Sequence, residues 1–134
     1  MTINLSDAVR NARLDAIKAT IGETGIILRI RSGAKPTYTS DADVGTVLSE
    51  IALPSGWLTP ASAGFVSKSG TWEDTSADDT GTATHFRIYR SDGITCDMQG
   101  TVDTASSDMV VLTTSFVATQ PFTITAFTLT DGNA

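Results

Sequence analysis

The sequence predicts a mainly β protein, an N-terminal α-helix followed by an antiparallel β-sandwich, and three observations carry that expectation. From Asn4 to Ile21 the chain is rich in Ala, Leu, Arg and Lys and contains neither Gly nor Pro, the composition of a helix. Beyond Gly22 short alternating apolar runs recur at roughly 8–12 residue intervals, the spacing of a sandwich or barrel. Asp92-Gly93 stands between two such runs, a hairpin mark. The 134 residues, 40% hydrophobic and 18% charged, fit one compact domain, with a helix over 1–22 and a sandwich over 23–134.

In the helix, Asn4 or Ser6 is placed to cap, Asp7 suits the first turn, Lys18 the last, and Gly22 stops it. At about 100° per residue, Leu5, Ala8, Val9, Ala12, Ala16 and Ala19 form one face. Leu14, Ile17 and Ile21 lie roughly opposite. A helix on a monomer's surface needs one apolar stripe, so the second asks for a second partner. Val9, Ala12 and Ala16 are therefore the candidate interface residues, since small side chains permit close helix approach. The alternatives are a helix sunk within its own domain, or a small-residue face left in solvent.

Leu28 and Ile30 alternate with Arg29 and Arg31, which predicts a strand with one wet side. Thr46–Leu53 is a second strand, ended by Pro54-Ser55-Gly56, and Gly64–Ser67 a third. Around the hairpin, Phe86 and Ile88 are expected to share the core with Ile94, Cys96 and Met98. Strands near Asp108–Thr113 and Phe122–Leu129 close the chain. Phe122 and Ile124 are out of phase with Phe127 and Leu129, so a bulge near Ala126, or a strand buried on both faces, is expected. Ser32–Val44 and Ser67–Thr84 are rich in Gly, Ser, Thr and Asp and are read as loops.

Nine basic and fifteen acidic residues give a net charge of −6, which repels phosphate and argues against a nucleic-acid partner. Cys96 is the sole cysteine, so there is no intrachain disulfide and no paired-thiol metal site. The start of the chain lacks the pattern of a secretion signal, and no run of about eighteen apolar residues predicts a membrane span. Synthesis in the cytoplasm is the expectation.

Catalytic groups are sparse. The one histidine, His85, is out of phase with Phe86 and Ile88 and is expected on the outer face. No Gly-x-Ser-x-Gly elbow occurs, and Cys96 reads as an inert core thiol. The acidic stretch Glu73–Gly81, with Asp74, Asp78 and Asp79, is the best candidate cation loop, but it lacks the EF-hand pattern and reads as solvated acids. No pair among Glu50, Asp74 and Asp97 is brought together by sequence, and Ser32-Gly33-Ala34-Lys35 lacks the spacing of a phosphate loop. Trp57, Trp72 and Tyr89 read as core or interface anchors. No enzyme, cofactor or metal is expected.

The segment Ala8-Val9-Arg10-Asn11-Ala12-Arg13-Leu14-Asp15-Ala16-Ile17, the Leu28-Arg29-Ile30 strand leading to Gly33-Ala34-Lys35-Pro36, the run Asp79–Tyr89 and the closing Thr123–Thr128 resemble small structural proteins of tailed bacteriophages and prophages. The resemblance runs nearly end to end, and its motifs are not catalytic. It implies a virion component: foremost a capsid decoration or cement protein that binds the assembled shell, or else a tail or fibre-associated subunit. The partners it implies are the chain itself, as a homo-oligomer with a trimer first, and the major capsid protein or other virion proteins. A small carbohydrate-binding module using Trp57 and Trp72 is the rival of another class.

Overall fold

A computed structural model describes residues 3–131. Helix α1 spans Asp7–Ile21, starting three residues later than the composition predicts because Ser6 is the cap, its Oγ accepting from the Val9 amide at 3.3 Å. Gly22 ends it, at a φ of +129° that disfavours a side chain, its amide donating to the Lys18 carbonyl.

Among the described residues ten strands follow: β1 Ile27–Arg31, β2 Val47–Ala52, β3 Phe65–Ser67, β4 Glu73–Asp74, β5 Gly81–Thr82, β6 His85–Tyr89, β7 Cys96–Asp103, β8 Met109–Val111, β9 Ser115–Phe116 and β10 Phe122–Thr130. Eight join in one sheet of order β2-β1-β6-β7-β8-β10-β3, with β4 also paired to β10, while β5 and β9 form a separate pair. The expected sandwich gives way to this single curled sheet. Its two ends approach each other where Ser49 Oγ donates to Asp74 Oδ2 at 2.8 Å and the Asp78 amide donates to the Leu48 carbonyl.

The sheet is also mixed and not purely antiparallel. After β7 the chain turns within residues 104–108 and returns alongside in the same direction, pairing Val102 with Met109. Asp108 makes that return possible, since its Oδ2 accepts from both the amide and the hydroxyl of Thr101, supplying an acceptor that a strand neighbour would otherwise provide.

The core is an aromatic chain. Trp57 packs on Trp72 at 6.2 Å between ring centroids, Trp72 on Phe127 at 5.5 Å, and Phe127 edge-to-face on Phe86 at 5.5 Å. Both indole N–H groups are satisfied by carbonyls, of Gly22 and Ser69. Leu14 and Ile21 are buried in this core and Ile17 packs against it, so the larger face of α1 covers the sheet. Ser67–Thr84 is more than a loop: it contributes Trp72 and Ala77 to the core and carries two short strands. Propensity missed them because each is two residues long.

The hairpin forms as read. Asp92 Oδ1 accepts from the Ile94 and Thr95 amides and Gly93 adopts a φ of +69°. Its side-chain assignment differs. Ile88 pairs with Met98 but Tyr89 pairs with Cys96, so an extra residue on β7 turns Cys96 to the face opposite Met98. Cys96 is thus half-buried and Ile94 is 81% exposed at the tip, while Met98 packs on the core. The bulge expected in β10 is present: Ile124 pairs with Val111 and Ala126 with Val110, leaving Thr125 over.

Candidate interaction surface

Strands β1 and β6 have two faces. Leu28, Ile30, Phe86 and Ile88 point into the core, all at most 1% exposed. Arg29, Arg31, His85, Arg87 and Tyr89 lie on the other face, where the register sets Arg31 opposite His85 and Arg29 opposite Arg87. Alternation predicts that face to be wet. Instead residues 32–46 cross it as a strap, and His85, Arg87 and Tyr89 are no more than 1% exposed. His85 is therefore interior, a correction to its expected surface position. Its phase was read correctly, but the strap covers the face it points to.

The strap is held by buried cations. Arg87 donates to the carbonyls of Thr39 and Asp41, to Asp43 Oδ1 at 2.6 Å, and through Nε to Cys96 Sγ at 3.2 Å. Arg31 reaches Asp43 Oδ2 at 3.1 Å and the Gly45 carbonyl, and the Tyr89 hydroxyl donates to Asp43 Oδ1 at 2.5 Å. Burial opposes the Asp43 carboxylate, yet the Tyr89 hydroxyl, Arg31 and Arg87 outweigh it and hold its pKa below the ordinary range. Gly45, at φ +80°, closes the strap where any Cβ would collide with the Ser32 carbonyl.

His85 Nδ1 lies 3.1 Å from Thr84 Oγ1, and that hydroxyl contacts the carbonyls of Arg31 and Gly33. With the single hydroxyl proton given to a carbonyl, Nδ1–H is the donor and Nε2 the bare acceptor. Among the described residues Nε2 has no hydrogen-bond partner. Burial, with the cations Arg31, Arg87 and Lys35, lowers the His85 pKa against a smaller opposing contribution from the Gly33 backbone.

Beside the strap, two depressions share Thr39, Ser40 and Asp97. One, of about 480 Å³, lies between the strap and the hairpin and is bordered by Asp41, Ile94 and Cys96. The other, of about 630 Å³, is bordered by Lys35, Tyr38, Met98 and Gln99. Tyr38 is 67% exposed. A third, of about 430 Å³, runs between α1 and β7 past Ala16, Ile17, Thr20 and Met98. Val9, Ala12 and Ala16 of α1 are all exposed, Ala16 at the edge of this groove.

Compared with protein-family models, curated proteins and solved structures, the chain matches none.

The other sequence candidates take structural places. Trp57 and Trp72 are fully enclosed and Tyr89 is buried under the strap, so none of the three presents a ring to a sugar. Asp74 accepts from Ser49 and from the Ser76 amide, and Asp79 from the Thr80 amide. Among the described residues no three His, Cys, Asp or Glu side chains are placed to share a metal ion, and no helix is long and apolar enough to cross a membrane. The strap was missed by sequence reading, although Gly33 and Gly45 bracket it and Asp41 and Asp43 stand ready for Arg31 and Arg87.

Proposed function

We propose that the chain is a non-enzymatic structural subunit of a tailed-phage virion, a capsid decoration or cement protein that binds the assembled shell as a homo-oligomer. The observation that carries this reading is the division of α1: Leu14 and Ile21 are spent on the subunit's own core, while Val9, Ala12 and Ala16 face outward. An exposed row of small side chains lets a second helix approach closely at little entropic cost. A trimer is the first assembly to test, with the major capsid protein as the other partner. The protein is made in the host cytoplasm and resides in the virion.

The test is light scattering of the purified chain at tens of micromolar, together with Ala12→Glu. The wild type is expected to be oligomeric. The variant is expected to dissociate with unchanged far-UV dichroism, because Ala12 is exposed in the subunit but its charge would be buried unpaired in the assembly. A wild type that is monomeric both free and on purified particles removes the helix interface. Cryo-electron microscopy of particles that places the subunit on the tail replaces the shell reading with the tail one.

A further inference from the structure

We propose that the two joined depressions beside the strap bind a neutral oligosaccharide, with Tyr38 as the stacking platform and Asp97 as a hydrogen-bond acceptor. Val9, Ala12 and Ala16 do not line this site, and it uses neither tryptophan.

Presentation is the first argument. Tyr38 is 67% exposed, yet its backbone is fixed: its amide donates to Asp41 Oδ2 at 2.8 Å and its carbonyl accepts from the Asp41 amide. The next carbonyls, of Thr39 and Asp41, are held by the buried Arg87. An aromatic ring on such a turn loses little freedom on binding, which favours recognition of a flexible ligand.

Charge is the second argument, because it selects the ligand class. Asp43 is neutralised by Arg31 and Arg87, and Asp97 is gripped by Arg90 at 2.5 and 3.3 Å. Lys35 and Asp41 bring opposite charges to the two depressions. The groove thus offers fixed polar groups with little uncompensated charge, which suits a neutral ligand over an ion. Arg90 takes two of the roughly four acceptor positions of the Asp97 carboxylate, orienting it and leaving others for ligand hydroxyls.

Composition is the third. Thr37, Thr39 and Ser40 border the second depression, and Tyr38 is its exposed aromatic residue. A protein anchor site asks for a broader desolvated apolar centre. Scattered hydroxyl partners around one exposed ring match a sugar, whose C–H face stacks while its hydroxyls both donate and accept. Two connected depressions give room for more than one sugar unit.

The experiment uses the full chain labelled with nitrogen-15, titrated with maltotetraose, cellotetraose and chitotetraose after a screen on an array of neutral glycans. Saturable amide shifts at residues 37–41 and 96–99 are expected with at least one probe. Tyr38→Ala is expected to weaken that binding by about tenfold or more while leaving distant amides unmoved, and Tyr38→Phe to retain it. Tighter binding of the corresponding polymer than of the tetrasaccharide marks a polysaccharide surface as the source, and equal affinity marks a free oligosaccharide. A blank array with no saturable shifts overturns the proposal, as does binding that Tyr38→Ala leaves intact. It is equally overturned if a protein partner shifts these amides while every glycan leaves them unmoved.

Discussion

The two faces of β1 and β6 are buried almost equally and held in different ways. On the inner face Leu28, Ile30, Phe86 and Ile88 meet the aromatic chain of Trp57, Trp72 and Phe127. Their attraction is non-directional and scales with apolar area, so a neighbour can shift without losing all of it. On the outer face Arg31, Arg87 and Tyr89 converge on one carboxylate, Asp43, and on backbone carbonyls of the strap. That attraction depends on each partner being in place, because a buried charge left alone is costly. The inner face fixes where the sheet folds; the outer face fixes where the strap, and with it Tyr38, must lie.

The comparison predicts losses of different size and kind. Trp72→Ala, which opens a cavity between Trp57 and Phe127, is expected to cost about 3–5 kcal/mol in urea unfolding and to loosen the whole domain. Asp43→Ala is expected to cost less, roughly 2–3 kcal/mol, since its side chain is 39% exposed and water can reach the abandoned guanidinium groups. Its damage is expected to be local, with faster amide exchange over residues 37–45 before the core opens. If Asp43→Ala instead unfolds the domain in one step at the same denaturant concentration as Trp72→Ala, the strap is part of the core and the two faces are not distinct.

The same comparison separates what sequence can show from what it cannot. The inner face was legible because period-2 alternation needs only local information: Leu28 with Ile30 and Phe86 with Ile88 announce their side. The Asp92-Gly93 turn was legible for the same reason, and so, each as one of two readings, were the helix cap at Ser6 and the β10 bulge. What covers the outer face was not. The pairing of Asp43 with Arg87 spans 44 residues, and alternation cannot tell a polar face in water from one roofed by a loop. A one-residue bulge near Asp97 likewise turned Cys96 away from the core. The parallel return at β8 depended on Asp108 reaching back to Thr101. Of the candidate interaction residues, Val9, Ala12 and Ala16 were found from helical period, whereas Tyr38 became visible only once Arg87 was seen to fix the turn that carries it.

Tyr89→Phe sharpens the contrast within the outer face. It removes the hydroxyl that donates to Asp43 but keeps the ring that Arg29 covers at 4.6 Å. The expected cost is about 1.5 kcal/mol, a hydrogen bond to a charged acceptor, read as a lower unfolding midpoint with an unchanged denaturant slope. A loss above that of Asp43→Ala would mean that the ring, and not the carboxylate, organises the strap.

The smallest expected effect is the pH dependence of the outer face, and it belongs to His85. Its imidazole is held neutral by burial and by facing Arg31 and Lys35 as well as Arg87, with Thr84 as its hydrogen-bond partner. The folded pKa therefore lies below the ordinary value near 6.5 that the unfolded chain keeps. Between those two values the unfolded state binds a proton that the folded state refuses. Stability is accordingly full above about pH 6.5 and declines as pH falls toward the folded pKa, by no more than about 1.4 kcal/mol per pH unit. Asp43 adds its own loss at lower pH, because its depressed pKa makes the folded state release a proton that the unfolded chain would hold. The two can be told apart by replacing His85 with Gln, which removes the titration while keeping a polar side chain. Unfolding midpoints measured from pH 7 to pH 5 are expected to slope in the wild type and to run nearly flat in His85→Gln. If the two slopes coincide, His85 takes up its proton in the folded state as readily as in the unfolded chain, and the cations around it are better screened than their burial implies.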